Sequence, residues 1–543
     1  VGSMELKNRI VWPALGLNYC PDGQVNERLK SFYAQRAEGG AALLILNAGA
    51  YRVFRPPTIR IDHDRYLPGL RALTGVVHRG GAKIAAQIAV RPNWARDGDT
   101  SAELRGPSDV PASRSLEGPR PRPLSVEEIH QAVQGMGEAT CRAREAGFDA
   151  VEVHANVGTC LVSHFISPYT NKRTDAYGGS LENRYRILLE IIRKAKEMAG
   201  RDYPVLCRLS GSDFMDGGAG VEDTVLAAPL LEKAGLDCLD VTTGWHESPV
   251  PFFQMGIPPG VYVYLAEAVK KAVTIPVMGG TKISDPFLAE EALARGGVDL
   301  VFIGRALIAD PQFPNKAREG RYDEIRPCIS CCLCFERTMA GNPMACSVNA
   351  QAGREEELKL RPAATPKRVL VVGGGPAGLQ AALAAVQRGH RVTLVEKSDR
   401  LGGNLLLATL PPNKKELVPL VNHLTSQARK AGIRVQLNTK VDATSVLRRR
   451  PDAVILAAGA SPIIPDIPGV AGPNVVTAPD VLTGKAKAGQ RVVVVGGGMI
   501  GCETAEFLAQ QGKVVTVLEM LPRLGEDIGR ATRWVVMQRL RTA

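Results

Sequence analysis

The sequence predicts an α/β chain: an N-terminal (β/α)₈ barrel, a short cysteine-bearing segment, and two nucleotide-binding folds in tandem. Three observations carry this. Over residues 1–325 eight short apolar runs alternate with amphipathic helical stretches; five of the eleven cysteines crowd into residues 328–346; and a strand, glycine-rich turn and helix occur twice, at 367–378 and at 491–501.

The apolar runs fall at 9–12, 42–46, 83–88, 150–153, 204–209, 238–242, 276–278 and 300–303. Eight strands mostly separated by helices suit a closed barrel better than an open sheet. The helices are punctuated: Ser125-Val-Glu-Glu128 has capping-box spacing ahead of a helix over 129–146, and Gly147 follows as a stop. In such a barrel the chemistry belongs at the C-terminal ends of the strands. That rule selects Pro13 and Ala14 after the first run, Gln87 near the end of the third, and His154 at the end of the fourth, followed by Thr159, Cys160 and His164. It also selects Arg208 on the fifth, Gly244-Trp-His246 after the sixth, Gly279 and Gly280 after the seventh, and Gly304 and Arg305 after the eighth. Glycines in the last two loops let backbone amides approach a phosphate, with Arg305 as counter-charge. A phosphate-bearing cofactor is expected there, and the Gln87 amide can pair with an edge of a flavin ring.

Cys328, Cys331 and Cys334 follow CxxCxxC spacing, and Cys346 lies eleven residues beyond. Three closely spaced thiolates can wrap one face of a cubane while a remote fourth closes it, which favours a [4Fe–4S] cluster. Zinc is the rival, although structural zinc usually takes two separated CxxC pairs. Cys332 could stand in for a neighbour.

After this cluster segment and linker (326–365) comes the first nucleotide fold, 366–489, with Gly373, Gly375 and Gly378 in its turn and Glu396 at the end of the next strand. The second, 490–543, repeats the pattern with Gly496, Gly498, Gly501 and Glu519. Strand, turn, helix and acid sit where a dinucleotide's pyrophosphate and ribose need them. Glu519 would accept ribose hydroxyls and repel a 2′-phosphate, favouring NADH, with Arg523 keeping NADPH open.

Composition bounds the rest. With 543 residues, 45% hydrophobic, and no run of eighteen apolar residues, no membrane span is expected. The net charge of +12 suits anionic partners such as nucleotides or a coenzyme A ester. Nucleic acid is not expected, because the basic residues are scattered apart from Arg448-Arg449-Arg450. The remaining cysteines are isolated and no secretory signal precedes them, which predicts a reducing, cytoplasmic setting. The chain opens Val1-Gly-Ser and stops at Ala543 within a helical pattern, which reads as truncation at both ends. The oligomeric state, monomer or homo-oligomer, is left open.

Gln87, the segment 171–186 (NKRTDAYGGSLENRYR), Arg208-Leu-Ser210, Gly244-Trp-His-Glu247 and Gly304-Arg305, followed by the cysteine cluster, resemble the old yellow enzyme barrel. More narrowly, they are similar to its iron–sulfur branch, which holds 2,4-dienoyl-CoA reductase, 2-enoate reductases and trimethylamine dehydrogenase. The resemblance implies FMN in the barrel, FAD on the first nucleotide fold and NADH on the second. It implies electrons passing from NAD(P)H through FAD and the cluster to FMN, and then to a C=C bond conjugated to a carbonyl in a small enoate or enoyl-CoA. Segment 452–459 (DAVILAAG) looks like the FAD-domain strand leading to the inserted second fold; the family's returning segment is absent, so the FAD site expected here is incomplete.

His246 matches the histidine that assists proton delivery in the dienoyl-CoA reductases. Cys160 falls where the family's tyrosine acid stands; as a thiol it is either a proton donor or an inert small residue. An amine dehydrogenase is the alternative, but its covalent flavin needs a cysteine shortly after the first strand, where this chain has Ala14 and Leu15. A non-catalytic redox or electron-transfer flavoprotein is the third alternative.

Overall fold

The computed structural model describes residues 1–51, 59–95, 102–112, 118–156, 158 and 160–543. The chain forms two compact units: one of residues 1–253, 257–322 and 337–357, the other of 254–256, 323–336 and 358–543.

The first unit is a closed barrel of eight parallel strands: β1 (Ile10–Trp12), β2 (Leu43–Tyr51), β3 (Lys83–Val90), β4 (Ala150–Ala155), β5 (Val205–Ser210), β6 (Cys238–Thr242), β7 (Val277–Gly279) and β8 (Leu300–Phe302). All eight predicted strands are present. Closure is direct, since β1 pairs with β8 through Ile10 and Val301 and with β2 through Val11 and Leu43. A two-residue strand, Ile59–Arg60, adds to the far end of β2.

Strands buried on both faces read as nearly continuous apolar runs, and β2 (LLILNAGAY) is the plainest case. The predicted capping box is formed: Ser125 Oγ accepts from the Glu128 N–H at 3.2 Å, and the Glu128 carboxylate accepts from the Ser125 N–H at 2.9 Å. The helix it opens runs Val126–Glu145, and Gly147 follows at φ +82°.

Inside the barrel, period-two alternation sorts the side chains into layers. The floor is apolar and draws on every strand: Val11, Leu43, Ile45, Ala85, Ala150, Leu206, Cys238, Met278, Leu300 and Phe302, with Met4 packed beneath. Two residues further along five consecutive neighbouring strands stand Asn47, Gln87, Glu152, Arg208 and Asp240. One chemical layer is thus stacked on another, and the polar one lies toward the strands' C-terminal ends.

In the second unit, β9 (Arg368–Val372), β10 (Arg391–Val395), β11 (Arg434–Gln436) and β12 (Ala453–Leu456) form a parallel sheet in the order β11-β10-β9-β12. A second parallel pair, β13 (Arg491–Val495) and β14 (Val514–Leu518), repeats the motif. Each glycine turn opens a helix, Pro376–Gln387 after Gly375 and Met499–Ala509 after Gly498.

Among the described residues no helix is long and apolar enough to cross a membrane.

Candidate active site

The polar layer is joined by hydrogen bonds. Asn47 Nδ2 donates to Gln87 Oε1 at 2.9 Å, and Gln87 Nε2 donates to Glu152 Oε2 at 2.6 Å. Arg208 donates to Asp240 at 2.7 Å and to Thr242 Oγ1 at 3.3 Å. Its guanidinium also lies 4.9 Å from the centre of the Phe302 ring. Arg91 reaches back to Asn47 Oδ1 at 3.3 Å. Gln87 and Arg208 are therefore brought into one layer. Asn47, Arg91, Glu152 and Asp240 were not singled out from sequence. The signal that would have found them is a polar residue at the inward phase of an otherwise apolar strand.

One step nearer the mouth, His154 is buried and its Nδ1 meets no partner. Burial is the main force holding its pKa well below the ordinary histidine range, with Arg91 and Arg208 adding to it. A buried orphan ring nitrogen beside an amide and a guanidinium fits a planar group with polar edges, as a flavin ring has. Room is left at Gly304, where a Cβ would touch nothing closer than 3.5 Å, whereas Gly280 is packed tightly, its Cβ falling 2.4 Å from the Phe302 carbonyl oxygen. Gly279 ends β7, Pro13 lies beside Gly304, Ala14 packs on the barrel floor, and the Arg305 guanidinium lies 5.6 Å from the Phe253 ring centre.

His246 follows β6 after Gly244, which takes φ +63°, and the buried Trp245. The residue is exposed, and the protein atoms crowded around it, then the charge of Arg91, push its pKa below the ordinary histidine range. The imidazole is neutral at pH 7. Next to it Glu247 is half-buried, and burial raises its pKa.

Cys160 is fully buried, and its thiol donates to the His154 carbonyl at 2.6 Å. Burial pushes this thiol up to about 11, with nearby Arg91 pulling the other way. His164 Nε2 donates to the Gly158 carbonyl at 2.5 Å, and burial lowers its pKa to about 4. Thr159 lies outside the described residues. The 171–186 segment spends its polar groups on scaffolding: Arg173 holds Asp175 and the carbonyls of Pro107 and Leu124, Tyr177 donates to Glu190 at 2.8 Å, and Arg184 binds Asp223 at 2.8 Å.

These histidines make a testable pH dependence. A group whose folded pKa is depressed binds protons more readily in the unfolded chain, so stability is lost as pH falls from its unfolded value toward its folded one. For the buried His164, moving from 6.5 to about 4 corresponds to about 3 kcal/mol. The barrel's melting temperature is expected to fall steadily between pH 6.5 and 4, and His164→Gln is expected to flatten the profile. An unchanged profile in that variant would count against it.

In the second unit both strand-end acids hold their own glycine turns. Glu396 accepts from the Gly374 N–H at 2.6 Å and the Ser398 N–H at 2.8 Å. Glu519 accepts from the Gly497 N–H at 2.7 Å and the Leu521 N–H at 2.8 Å. Each carboxylate keeps lone pairs for further donors such as ribose hydroxyls. Gly375 is open, with its nearest neighbour Gly403 3.8 Å from a built Cβ. The second helix differs: the Met499 N–H donates to the Asp527 carboxylate at 2.9 and 3.1 Å, so the chain's own anion caps that N-terminus.

None of the eleven cysteines forms a disulfide. Cys331 is exposed; Cys328, Cys334 and Cys346 are partly exposed, while Cys332 is buried. Ser330 (φ +49°) and Cys332 (φ +61°) both take the left-handed conformation, which is strained for residues with a Cβ and clusters at functional loops. Among the described residues no group of three or more His, Cys, Asp or Glu is gathered as a metal site.

Comparison with known proteins agrees with this architecture. Residues 1–324 match the NADH:flavin oxidoreductase / NADH oxidase family, and residues 367–543 match the pyridine nucleotide-disulphide oxidoreductase family. A metal reductase of Desulforamulus reducens is 40% identical, covering 100% of this chain and 86% of that protein. A cinnamate reductase of Clostridium sporogenes is 35% identical, covering 96% of this chain and 82% of that protein. The solved structure of 2-naphthoyl-CoA reductase in complex with 2-naphthoyl-CoA superposes with a TM-score of 0.95 at 33% identity, covering 99% of this chain and 85% of that one. The chain belongs to the NADH:flavin oxidoreductase / NADH oxidase family of enzymes, in the old yellow enzyme-like group whose barrel is followed by a pyridine nucleotide-disulphide oxidoreductase domain.

Proposed function

We propose that this enzyme is an NADH-dependent reductase of C=C bonds conjugated to a carbonyl, acting on enoyl-type coenzyme A thioesters or free 2-enoates. The observation that carries this is the placement of His246 just after β6, at the end of a barrel whose polar layer presents Gln87 and Arg208. Gln87, Arg208, Gly279, Gly280, Gly304 and Arg305, with Pro13 and Ala14, would hold FMN. Gly373, Gly375, Gly378 and Glu396 would hold FAD; Gly496, Gly498, Gly501 and Glu519 would hold NADH. Cys328, Cys331, Cys334 and Cys346 would hold a [4Fe–4S] cluster, on their spacing and on the strained backbone between them. When bound, these groups supply hydride chemistry at the nicotinamide, single-electron transfer at the cluster, and exchange between the two modes at the flavins, in the order NADH, FAD, cluster, FMN, alkene.

Saturating the bond takes a hydride at the β carbon and a proton at the α carbon; the proton comes from water at the exposed mouth, and the chain's own His246 polarises the carbonyl. A neutral imidazole keeps one N–H, which can donate to a substrate carbonyl and polarise the double bond at neutral pH. Cys160 holds its proton too tightly, and is too committed to a backbone carbonyl, to be a good acid. Of its two readings the inert one is favoured. His246→Ala is expected to slow alkene reduction about 100-fold or more while NADH still reduces the bound flavin. Cys160→Ser is expected to leave the rate nearly unchanged. Equal losses in the two variants would reverse the assignment.

Both a cinnamate reductase and a 2-naphthoyl-CoA reductase are among the relatives, so free acid and thioester are both tested. Protein purified without oxygen should contain FMN, FAD and about four irons per chain, and Cys328→Ser should lower the iron. It should oxidise NADH when given cinnamate-like acids or enoyl thioesters. Failure on every member of that panel with cofactors loaded would rule the proposal out.

A further inference from the structure

The hydrogen bonds of the barrel's polar layer can be followed from both ends until they meet. From one side Asn47 donates to Gln87 and Gln87 donates to Glu152; from the other Arg208 donates to Asp240. The ring closes between two carboxyl groups. Glu152 Oε1 and Asp240 Oδ1 are both buried in this layer and neither meets a hydrogen-bond donor, and the two acids are near enough for each to act on the other's charge state. Two buried acceptor oxygens in one layer are satisfied together if one carboxyl carries a proton and shares it with the other, because an ionised carboxylate is an acceptor alone.

Charge leads to the same count. Arg208 is the cation hydrogen-bonded to this pair, while Arg91 reaches Asn47; two ionised carboxylates beside one guanidinium would leave that corner of the layer negative, whereas one proton leaves it neutral. Uncompensated charge in a dry interior is expensive. Asp240 has the guanidinium at 2.7 Å and is wholly buried, so it is the one that stays ionised. Glu152 has no cation in hydrogen-bond contact: it accepts from the neutral amide of Gln87 and has the anion of Asp240 as its neighbour. Burial and that neighbouring charge both raise its pKa, against the opposing pull of Arg208. The other titratable groups within reach are the thiols of Cys207 and Cys238, which burial and the two acids keep neutral.

We propose that Glu152 and Asp240 share a single proton, donated by Glu152, and that the pair positions Gln87 and Arg208. The proton turns Glu152 into a donor toward Asp240 and leaves its other oxygen to accept from Gln87. The amide and the guanidinium are then each fixed in one orientation. An ionised Glu152 would instead add negative charge under the barrel mouth and oppose the addition of electrons there. The positioning role rests on Gln87 and Arg208 being flavin ligands; the shared proton does not.

The test compares Glu152→Gln with Glu152→Ala in the purified, cofactor-bearing protein. A glutamine can donate to Asp240 and accept from Gln87 as a protonated glutamate does. Glu152→Gln is therefore expected to keep the melting temperature and flavin content at pH 7, while Glu152→Ala loses both. Infrared spectra at neutral pH should show the carbonyl band of a buried carboxylic acid in the wild type, absent from Glu152→Gln. The sign of the pH effect is fixed: the native state keeps a proton the unfolded chain releases, so wild-type stability falls relative to Glu152→Gln as pH rises above about 5. No acid band, or a Glu152→Gln variant as damaged as Glu152→Ala, would overturn the shared proton. An acid band with flavin content unchanged in both Glu152→Ala and Arg208→Met would leave the proton standing and overturn the positioning role.

Discussion

Arg208→Met is expected to destabilise the barrel by about 3–5 kcal/mol and to release its flavin. Arg208 is the cation in hydrogen-bond contact with Asp240, a carboxylate with no solvent exposure. Removing one partner of a buried ion pair strands the other, and the cost is chiefly that of the uncompensated charge. Methionine fills much of the volume, so the loss is electrostatic and not a cavity. This gives the defect a pH dependence. Without Arg208 the Asp240 pKa rises further, and a raised group loses stability as pH climbs through its folded pKa. The deficit is therefore expected to shrink toward pH 5 and grow toward pH 8, in a melting series on wild type and variant. A deficit independent of pH would place the role of Arg208 in packing.

Gly501→Ala is expected to cut NADH-driven reduction at least about 100-fold while dithionite still reduces the same protein. A Cβ at Gly501 would lie 1.8 Å from the Gly496 carbonyl oxygen, and that contact is with backbone, which has no rotamer to yield. The strand-to-helix turn must open by more than an ångström, and misplacement on that scale costs about 100-fold in a positioned reaction. Gly378→Ala makes the same collision with Gly373 at 1.9 Å and is expected to lose FAD instead. The two variants thus separate the proposed electron entry from the first flavin. If Gly501→Ala oxidised NADH normally, the second turn would not be the point of entry.

The fold was legible because its signals repeat. Eight apolar runs gave eight strands, with β2, β3 and β4 extending beyond the expected ends by residues that line the mouth, among them Asn47 and His154. Both glycine turns were legible from their spacing, and at Gly373, Gly378 and Gly501 the reason is a backbone collision that any Cβ would make. The chemistry within the barrel was less so. Gln87 and Arg208 could be picked out by position, but Glu152 and Asp240 look like ordinary strand polar residues until the register of β4, β5 and β6 brings them together. No local pattern reports a contact between residues 88 positions apart. Cys160 was ambiguous for the same reason, since its burial and its bond to the His154 carbonyl are products of the fold. The capping of Met499 by Asp527 likewise joins residues 28 positions apart.

The most direct measurement follows NADH and alkene together, without oxygen, in the fully loaded protein. The proposal predicts that NADH is consumed only when an alkene conjugated to a carboxylate or thioester is present, one NADH for each double bond saturated. It also predicts that His246→Ala slows that coupled turnover about 100-fold or more. NADH consumption that ignores the alkene and instead tracks added oxygen or a metal ion would contradict it.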